Sequence, residues 1–598
     1  MNKITQSLLA SALFSMLAFA TPACSDDDPV VTQPGHGIEN CEWADVNDAD
    51  LKGQTLIYEF DAPAPWVATS SDSWCTLLTE SGAAGKSSLR IKVAPNEGES
   101  GRSATITIQV EGYAEQSVLT IRQGEGFLEK GEGKYRDVNN WVYEFMAANY
   151  LWNENIPDMR LDYSLDYQQF LLSMLDGVAK NGDANHDDGY WANGERLGYY
   201  TYIQSNAPLS RSAGDRFTDS GLAIIPTILG SRDDDPCGFA VRWVTPGSPA
   251  DIAGVKRGDF ISTVNKIAVT QNNYTSLGNS VLNGNVTIDL NDVTFTNGSA
   301  VITNKVKSVL VGKDTYTDPS IYKAEVVEMP NGKKVAYLMY FGFHTDYDDQ
   351  LNDVFAKFKS EGAEELVIDL RYNPGGHVLS STVLGTLVAG AEHKGDVYVQ
   401  TTYNSTRSAA GEVGQYKIGE GTNPESNKSY DPIVKALDNS LNLKRVFVIG
   451  SGTTASASEL IINGLRGLDI TVNLVGTTTH GKNVGMEGWQ KKFGSYNFIF
   501  YPVTFFCENA KGFRDYSNGF TPDLYIDDST TYPGDFGTMK DALSSNALVW
   551  ASTGSQPSKT SARSTTGNIR VLKATPEMES LQNRRMGGSL TMPREITE

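Results

Sequence analysis

From residue 334 onward the chain alternates apolar strands with amphipathic helices, which confines this stretch to a layered α/β architecture. Lys334 to Phe343 (KVAYLMYFGF) reads as a strand. Asp348 to Lys359 reads as a helix that places Leu351, Val354, Phe355 and Phe358 on one face. Leu366-Val367-Ile368-Asp369-Leu370 is apolar enough for a buried strand, and Arg445–Ile449 and Ile470–Val475 repeat the pattern. A parallel or mixed sheet follows, and the loops at its strand ends are the places to look for chemistry.

Three of those loops stand out. Arg371-Tyr372-Asn373-Pro374-Gly375-Gly376 ends in a Pro-Gly-Gly turn, which can leave backbone N–H groups uncovered by side chains. Such donors suit an oxyanion that develops in acyl transfer, although the same turn can be only a turn. After Gly450–Ala455, Ser456-Ala457-Ser458-Glu459 opens a helix through Leu465. Ser456 and Glu459 have capping-box spacing, in which the serine accepts an N–H and the glutamate reaches back. A nucleophilic Ser456 instead requires a base and an oxyanion hole nearby. Thr477 to Asn483 contains Lys482, either a surface cation or that base. As a base it must be neutral, against an ordinary lysine pKa of ~10.4, and burial can lower that value by ~3–5 units. The mechanism therefore predicts a desolvated Lys482.

Taken together, Asp369–Gly376, Ser456–Glu459, Gly481-Lys482 and Gly519-Phe520-Thr521-Pro522-Asp523 resemble the C-terminal processing peptidases, the S41 family of Ser–Lys enzymes, over about residues 134–552. The resemblance implies a crotonase-like α/β peptidase core at 320–552, with a helical N-terminal part at 134–205 that carries the apolar face Trp141, Val142, Phe145, Met146, Tyr150 and Leu151. It implies that Ser456 attacks the scissile carbonyl and Lys482 takes its proton. The Ala457 N–H and a glycine of the Gly375–Gly376 pair would form the oxyanion hole. No cofactor or metal is implied. Family members often place a glutamine four residues after the lysine to orient it; here that residue is Met486, so Glu487 or a backbone carbonyl is expected to take over.

Two further resemblances fill the N-terminal half. Phe239–Val244, Pro246-Gly247-Ser248-Pro249-Ala250, Ala253-Gly254-Val255-Lys256-Arg257-Gly258-Asp259 and Ile261–Asn265 resemble a PDZ domain, placed at 206–312. Such domains bind extended peptide ends by strand addition, with loop N–H groups holding the terminal carboxylate. Gly221, Leu222, Ala223 and Ile224 are the matching candidates, and Asp233-Asp234-Asp235 just beyond would oppose a carboxylate if it folds close by. Residues 41–124 alternate with period 2, as in Ser88–Val93, Ala104–Val110 and Val118–Ile121, and read as a small β-sandwich. With Trp74 and the Arg102–Gln123 pattern this unit resembles the BACON family, which implies glycan contact. The simpler reading is a spacer with Trp74 in its core.

The N-terminus sets the expected compartment. Residues 1–23 read as a signal peptide, with Lys3 followed by the apolar run Leu8–Ala20. Cys24, followed by Ser25-Asp26-Asp27-Asp28, resembles a lipidation site with the surface-export signal of Bacteroidetes lipoproteins, and 24–40 reads as a tether. The chain is thus expected to be exported and lipid-anchored to the outer membrane at the cell surface, with a periplasmic or secreted protein as the alternative. The lipid is the only membrane contact expected. A formal charge of −22, from 50 Lys and Arg against 72 Asp and Glu, disfavours nucleic acid. Five scattered cysteines indicate neither zinc nor a dense disulfide framework. The acidic run Asp183–Asp188 lacks the glycine and closing glutamate of a calcium loop and reads as solvated. The tail 553–598 is rich in Ser, Thr and Gly, either a free end or a segment that enters its own active site. Protein or peptide substrates are the partners expected. The rivals are a histidine-based hydrolase using His377 or His480, a crotonase-type acyl-CoA enzyme, and a weak or inactive surface protein that binds peptides or glycans.

Overall fold

The computed structural model describes residues 35–574 and 591–594, apart from 42, 45, 50–52, 97–100, 124–133, 157–160, 182–187, 193–194, 206–215, 297–298, 303–305, 425 and 559–568. Cys24 and residues 1–23, read as a signal peptide, lie outside the described residues. The chain forms two compact units, one of residues up to 132 with 158–164, the other of 133–157 with 165–598.

The first unit folds two sheets around one core. One sheet has the order Val46–Asp48, Ser117–Gln123, Arg102–Val110, Trp66–Ser70 and Ser81–Gly82; the other has Gln54–Ala62, Gly85–Val93 and Cys75–Leu77. Period-2 alternation turns Leu89, Ile91, Val93, Ala104, Ile106, Ile108 and Val110 inward. The core tryptophan is Trp66, only 2% exposed, whose Nε1 donates to Ser87 Oγ at 2.8 Å. Trp74, expected in the core, is half-buried with the Arg102 guanidinium 4.4 Å from its ring.

The second unit opens with helices α1 (Arg136–Asn149) and α2 (Tyr167–Asn181). The expected helical stretch does not continue to 205: Gly189–Ala192, Glu195–Tyr199 and β1 (Tyr202–Ser205) are strands. Gly189, Gly198 and a run of aromatic residues disfavour helix there and favour strand. An antiparallel β unit follows, with β2 (Leu222–Ile228), β3 (Cys237–Val244) and helix α3 (Tyr274–Asn283). Its sheet runs Lys307–Val311, Val286–Asn291, Phe260–Val264, β3, β2. Leu222, Ile224, Phe239, Val241, Ile261, Val281 and Ile288 fill its core.

The layer that carries the Pro-Gly-Gly, Ser456 and Lys482 loops is a six-stranded sheet. Its order is Ile321–Glu328, β4 (Lys334–Tyr340), β5 (Glu365–Asp369), β6 (Arg445–Gly450), β7 (Thr471–Gly476) and Leu524–Tyr525. The first pair is antiparallel and the rest parallel. Successive side chains point to opposite faces. Leu338, Ile368, Val448 and Leu474 meet helices Asp348–Ser360, Val378–Ala389 and α4 (Ala457–Gly467) on one face. Tyr337, Val367, Phe447 and Val475 meet the helix Ala542–Thr553 on the other. Beyond β7 the chain enters a second sheet through β8 (Val484–Phe493), which is flanked by Tyr496–Tyr501 and Val503–Glu508.

Buried charge fastens the antiparallel β unit to this core. Arg371 is wholly buried and bonds Asp369, Asp528 and Asp541, the last at 2.7 Å. Arg257, from the Gly turn of the β unit, reaches Asp541 at 2.9 Å and the Gly534 carbonyl at 2.6 Å. Removing one member would strand the others as unpaired buried charge, the costly way to break such a cluster. The same Arg371 precedes the Pro-Gly-Gly turn, so the network also fixes where that turn begins.

Candidate active site

Ser456 stands between β6 and α4 with φ +61° and ψ −120°. A non-glycine residue in that region stores about 1–3 kcal/mol and persists only where its surroundings over-determine it. Here Thr454 Oγ1 donates to the Leu370 carbonyl at 2.8 Å, Ser458 Oγ donates to the Asn373 carbonyl at 3.0 Å, and the Ser456 N–H donates to Glu459 Oε2 at 3.0 Å. Half of the expected capping box therefore forms. Glu459 reaches back, but Ser456 Oγ, fully buried, has no hydrogen-bond partner among the described residues.

The Pro-Gly-Gly turn packs directly on this serine. A Cβ built on Gly375 would stand 2.7 Å from Ser456 Cβ and 2.9 Å from the Ala457 nitrogen. The two glycines differ in what their N–H groups do. Gly375 N–H donates to Asn373 Oδ1 at 2.9 Å, which removes it from the expected pair of interchangeable donors. Gly376 is bracketed by bonds that use its neighbours' atoms, Phe343 N–H to the Gly375 carbonyl at 2.9 Å and His377 N–H to the Phe343 carbonyl at 2.8 Å. Its own N–H makes no hydrogen bond among the described residues. Ala457, the first residue of α4, also has an N–H with no intrahelical acceptor.

Lys482 is 6% exposed, and burial lowers its ammonium pKa to about 8, while the carboxylates of Asp188 and Glu459 hold it up in part. Its Nζ lies 4.9 Å from the ring centre of Tyr200. Glu459 joins the lysine to the serine. Oε2 accepts from the Lys482 N–H at 2.8 Å as well as from Ser456, and Oε1 accepts from Gly481 N–H at 2.7 Å and Thr479 Oγ1 at 2.6 Å. Burial pushes this carboxyl up to about 7 in spite of those four donors. The late motif buttresses the same loop: the Phe520 N–H donates to Thr479 Oγ1 at 2.7 Å, and Asp523 Oδ2 accepts from the Leu474 N–H at 2.8 Å.

Glu487, offered as a group to orient Lys482, has a partner of its own. It is buried against Arg407, with contacts of 2.7 and 3.2 Å. Met486 is also buried. The acidic group that sequence reasoning missed is Asp188, read as the end of a solvated run. It is buried, pushed up to about 7 by desolvation, and accepts from the Tyr150 hydroxyl at 3.1 Å and the N–H groups of Tyr200 and Thr201 at 3.0 and 2.9 Å. Asp183 to Asp187 lie outside the described residues. Of the histidines, His480 Nδ1 faces the Gly452 carbonyl at 3.3 Å, and His377 precedes the helix Val378–Ala389.

The loop read as a carboxylate cradle is internally occupied. Gly221 N–H donates to Asp219 Oδ1 at 2.8 Å and Leu222 N–H to Ser220 Oγ at 3.3 Å, while the Tyr316 hydroxyl donates to the same Asp219 oxygen at 2.6 Å. Leu222, Ala223 and Ile224 are buried, and Ala223 packs into the cluster that contains Tyr337 and Phe447. Among the described residues, no group of three or more His, Cys, Asp or Glu is placed to hold a metal, and Cys41, Cys75, Cys237 and Cys507 form no disulfide.

Sequence comparison matches residues 334–526 to peptidase family S41, 137–190 to the peptidase S41 N-terminal domain, and 64–124 to BACON, a putative binding domain. A carboxyl-terminal-processing protease of Picosynechococcus sp. is 26% identical over 239 residues, 40% of this chain and 49% of that protein, so the chain spans about half the length of this relative. Among solved structures, a Bacteroides fragilis protein assigned to the S41 proteases aligns with TM-score 0.54 and 26% identity, covering 69% of this chain and 97% of that one. A photosystem II D1 C-terminal processing protease gives a weaker likeness, with TM-score 0.35 and 17% identity over 69% of this chain and 98% of its own. The chain carries a peptidase family S41 domain, together with a peptidase S41 N-terminal domain and a BACON domain.

Proposed function

We propose that the chain is a serine endopeptidase in which Ser456 is the nucleophile and Lys482 the general base. The observation that carries this reading is Glu459: one buried carboxylate oxygen holds the backbones of both residues, leaving the serine hydroxyl unpartnered and the lysine desolvated. Neutral Lys482 accepts the Ser456 proton as Oγ attacks the scissile carbonyl. The N–H groups of Ala457 and Gly376 receive the oxyanion. Protonated Lys482 then returns the proton to the leaving amine, and water hydrolyses the acyl-enzyme by the same route in reverse. No step calls for a metal or cofactor.

The antiparallel β unit is read as PDZ-like, recognising extended peptide by strand addition at β2. The BACON domain favours a carbohydrate contact, with Trp74 as the residue to test, and Cys24 as a lipidated residue would place the enzyme on the outer membrane, facing outward. The test of the catalytic reading is casein cleavage followed by mass spectrometry for the unaltered chain, Ser456→Ala and Lys482→Ala. Cleavage is expected to vanish in both variants; cleavage that survives Ser456→Ala would reject the assignment. The specific observation favouring a second reading, an inactive binding protein, is the occupied state of both strand edges described next; it predicts no cleavage even after those edges are cleared.

A further inference from the structure

The C-terminal tail returns to the antiparallel β unit. Strand β9 (Arg570–Val571) pairs antiparallel with β2, with Val571 opposite Thr227 and Arg570 opposite Ile228. The Leu572 N–H donates to the Pro226 carbonyl at 2.9 Å. Across the groove, the Tyr274 hydroxyl of α3 donates to the Lys573 carbonyl at 3.1 Å. Ile569 packs beside Leu229, Ala240 and Phe260, and Ala574 packs on the core that contains Leu222 and Ile224. Both backbone edge and side chains are thus engaged, as in strand-addition recognition.

Two features define the ligand chemistry. Asp233, in the insertion after β2, pairs with Arg570 at 2.6 Å, so the acidic insertion selects a cation. The Gly221 and Leu222 N–H groups are already bonded to Asp219 and Ser220, and the Asp219 carboxylate faces the place where a terminal carboxylate would sit. The tail itself reaches this edge with an internal segment, since the chain continues to Glu598.

We propose that the β2 edge facing α3 is a binding site for an internal, arginine-bearing extended segment, and that residues 569–574 of this chain are its resident ligand. The proposal deepens the peptide-recognition part of the reading above and does not depend on its catalytic part. Main-chain bonds supply the holding power, while the exposed Arg570–Asp233 pair contributes selectivity. A substrate segment that adds to β2 must first displace the tail. The same tail also adds strand β10 (Thr591–Arg594) in parallel to β8 at Met486–Trp489, just beyond Lys482 in sequence. Tail docking therefore keeps both edges occupied, and displacement is the step at which a partner or substrate would exert control.

The test uses the full chain carrying Ser456→Ala, with and without Leu572→Pro, which deletes the N–H bonded to Pro226. The probe is a fluorescein-labelled peptide copying residues 567–576, followed by anisotropy. It is expected to bind the Leu572→Pro chain at least tenfold more tightly than its parent. A chain with Arg570→Glu should move in the same direction by a smaller factor. A probe bearing Arg570→Glu should bind several-fold more weakly, and Asp233→Lys in the released chain should reverse that loss. Equal affinity for released and parent chains, or no binding to either, overturns the proposal, and indifference to the charge reversals overturns the role of Asp233. Because binding and not cleavage is read, a failure of the Ser456–Lys482 assignment would leave these outcomes unchanged.

Discussion

The Gly221 loop and the Pro374–Gly376 turn read alike in sequence, each a glycine-bearing turn expected to offer N–H groups to an oxygen. They end in opposite states. At Gly221 the donors are consumed by Asp219 and Ser220. At the turn, Asn373 consumes only the Gly375 N–H, and the Gly376 and Ala457 donors stay uncommitted beside a strained, unpartnered serine. A glycine turn makes donors reachable, but the acceptor side chain two residues earlier decides which of them remain available. Asp219 and Asn373 hold that same offset from Gly221 and Gly375, and the difference between loops lies in the extra donor that follows.

The largest effect that would sharpen this contrast is Gly376→Ala. A Cβ there would meet the Phe343 carbonyl oxygen at 2.1 Å and displace the turn, so kcat should fall by ~10²–10³-fold, the cost of an oxyanion-hole donor. Steady-state kinetics on a chromogenic peptide checks it, and an unchanged kcat would break the assignment of this donor. The next effect is on pH. The Lys482 pKa is lowered, so the charged form persists below pH 8 and the neutral base accumulates as pH rises through about 8. Activity should rise roughly tenfold from pH 7 to 9, as the neutral fraction of such a group does. Glu459 and Asp188, both pushed up to about 7, ionise over the lower part of that range, and the charge they gain holds the Lys482 pKa up and flattens the start of the rise. For stability the sign is the same: the cost of burying charged Lys482 is present below pH 8 and is relieved toward the ordinary lysine value of ~10.4. The smallest effect belongs to the other loop. Asp219→Ala should free the Gly221 N–H and remove the opposing charge, giving a peptide with a free carboxylate about threefold preference over its amide in a chain released by Leu572→Pro. No preference would mean that this loop cannot be converted by its acceptor alone.

Much of the site was legible because its parts are local. Ser456 opens a helix after an apolar strand, and Lys482 follows the next strand, so motif and α/β alternation place both at the same edge of one sheet. The requirement that Lys482 be desolvated followed from its chemistry alone. What escaped depended on partners distant in sequence. Asp188 looks solvated among its acidic neighbours, yet the Tyr150 hydroxyl and two later N–H groups make its burial tolerable. Glu487 follows Met486 in sequence, and its bond to Arg407, 80 residues away, leaves no local signal. The split between Gly375 and Gly376 hangs on the Asn373 side chain. Strands as short as Arg570–Val571 carry no periodic signal, since pairing with β2 rather than local pattern creates them.

The central claim is that Ser456 is activated by Lys482. Its most direct measurement is intact-protein and peptide mass spectrometry of the full chain after treatment with a sulfonyl fluoride, with the labelling rate followed from pH 6 to 10. A single adduct is expected on Ser456, formed at a rate that rises with a midpoint near pH 8 and collapses in Lys482→Ala. An adduct on another residue, or Ser456 labelling that keeps its rate and pH profile without Lys482, would contradict it.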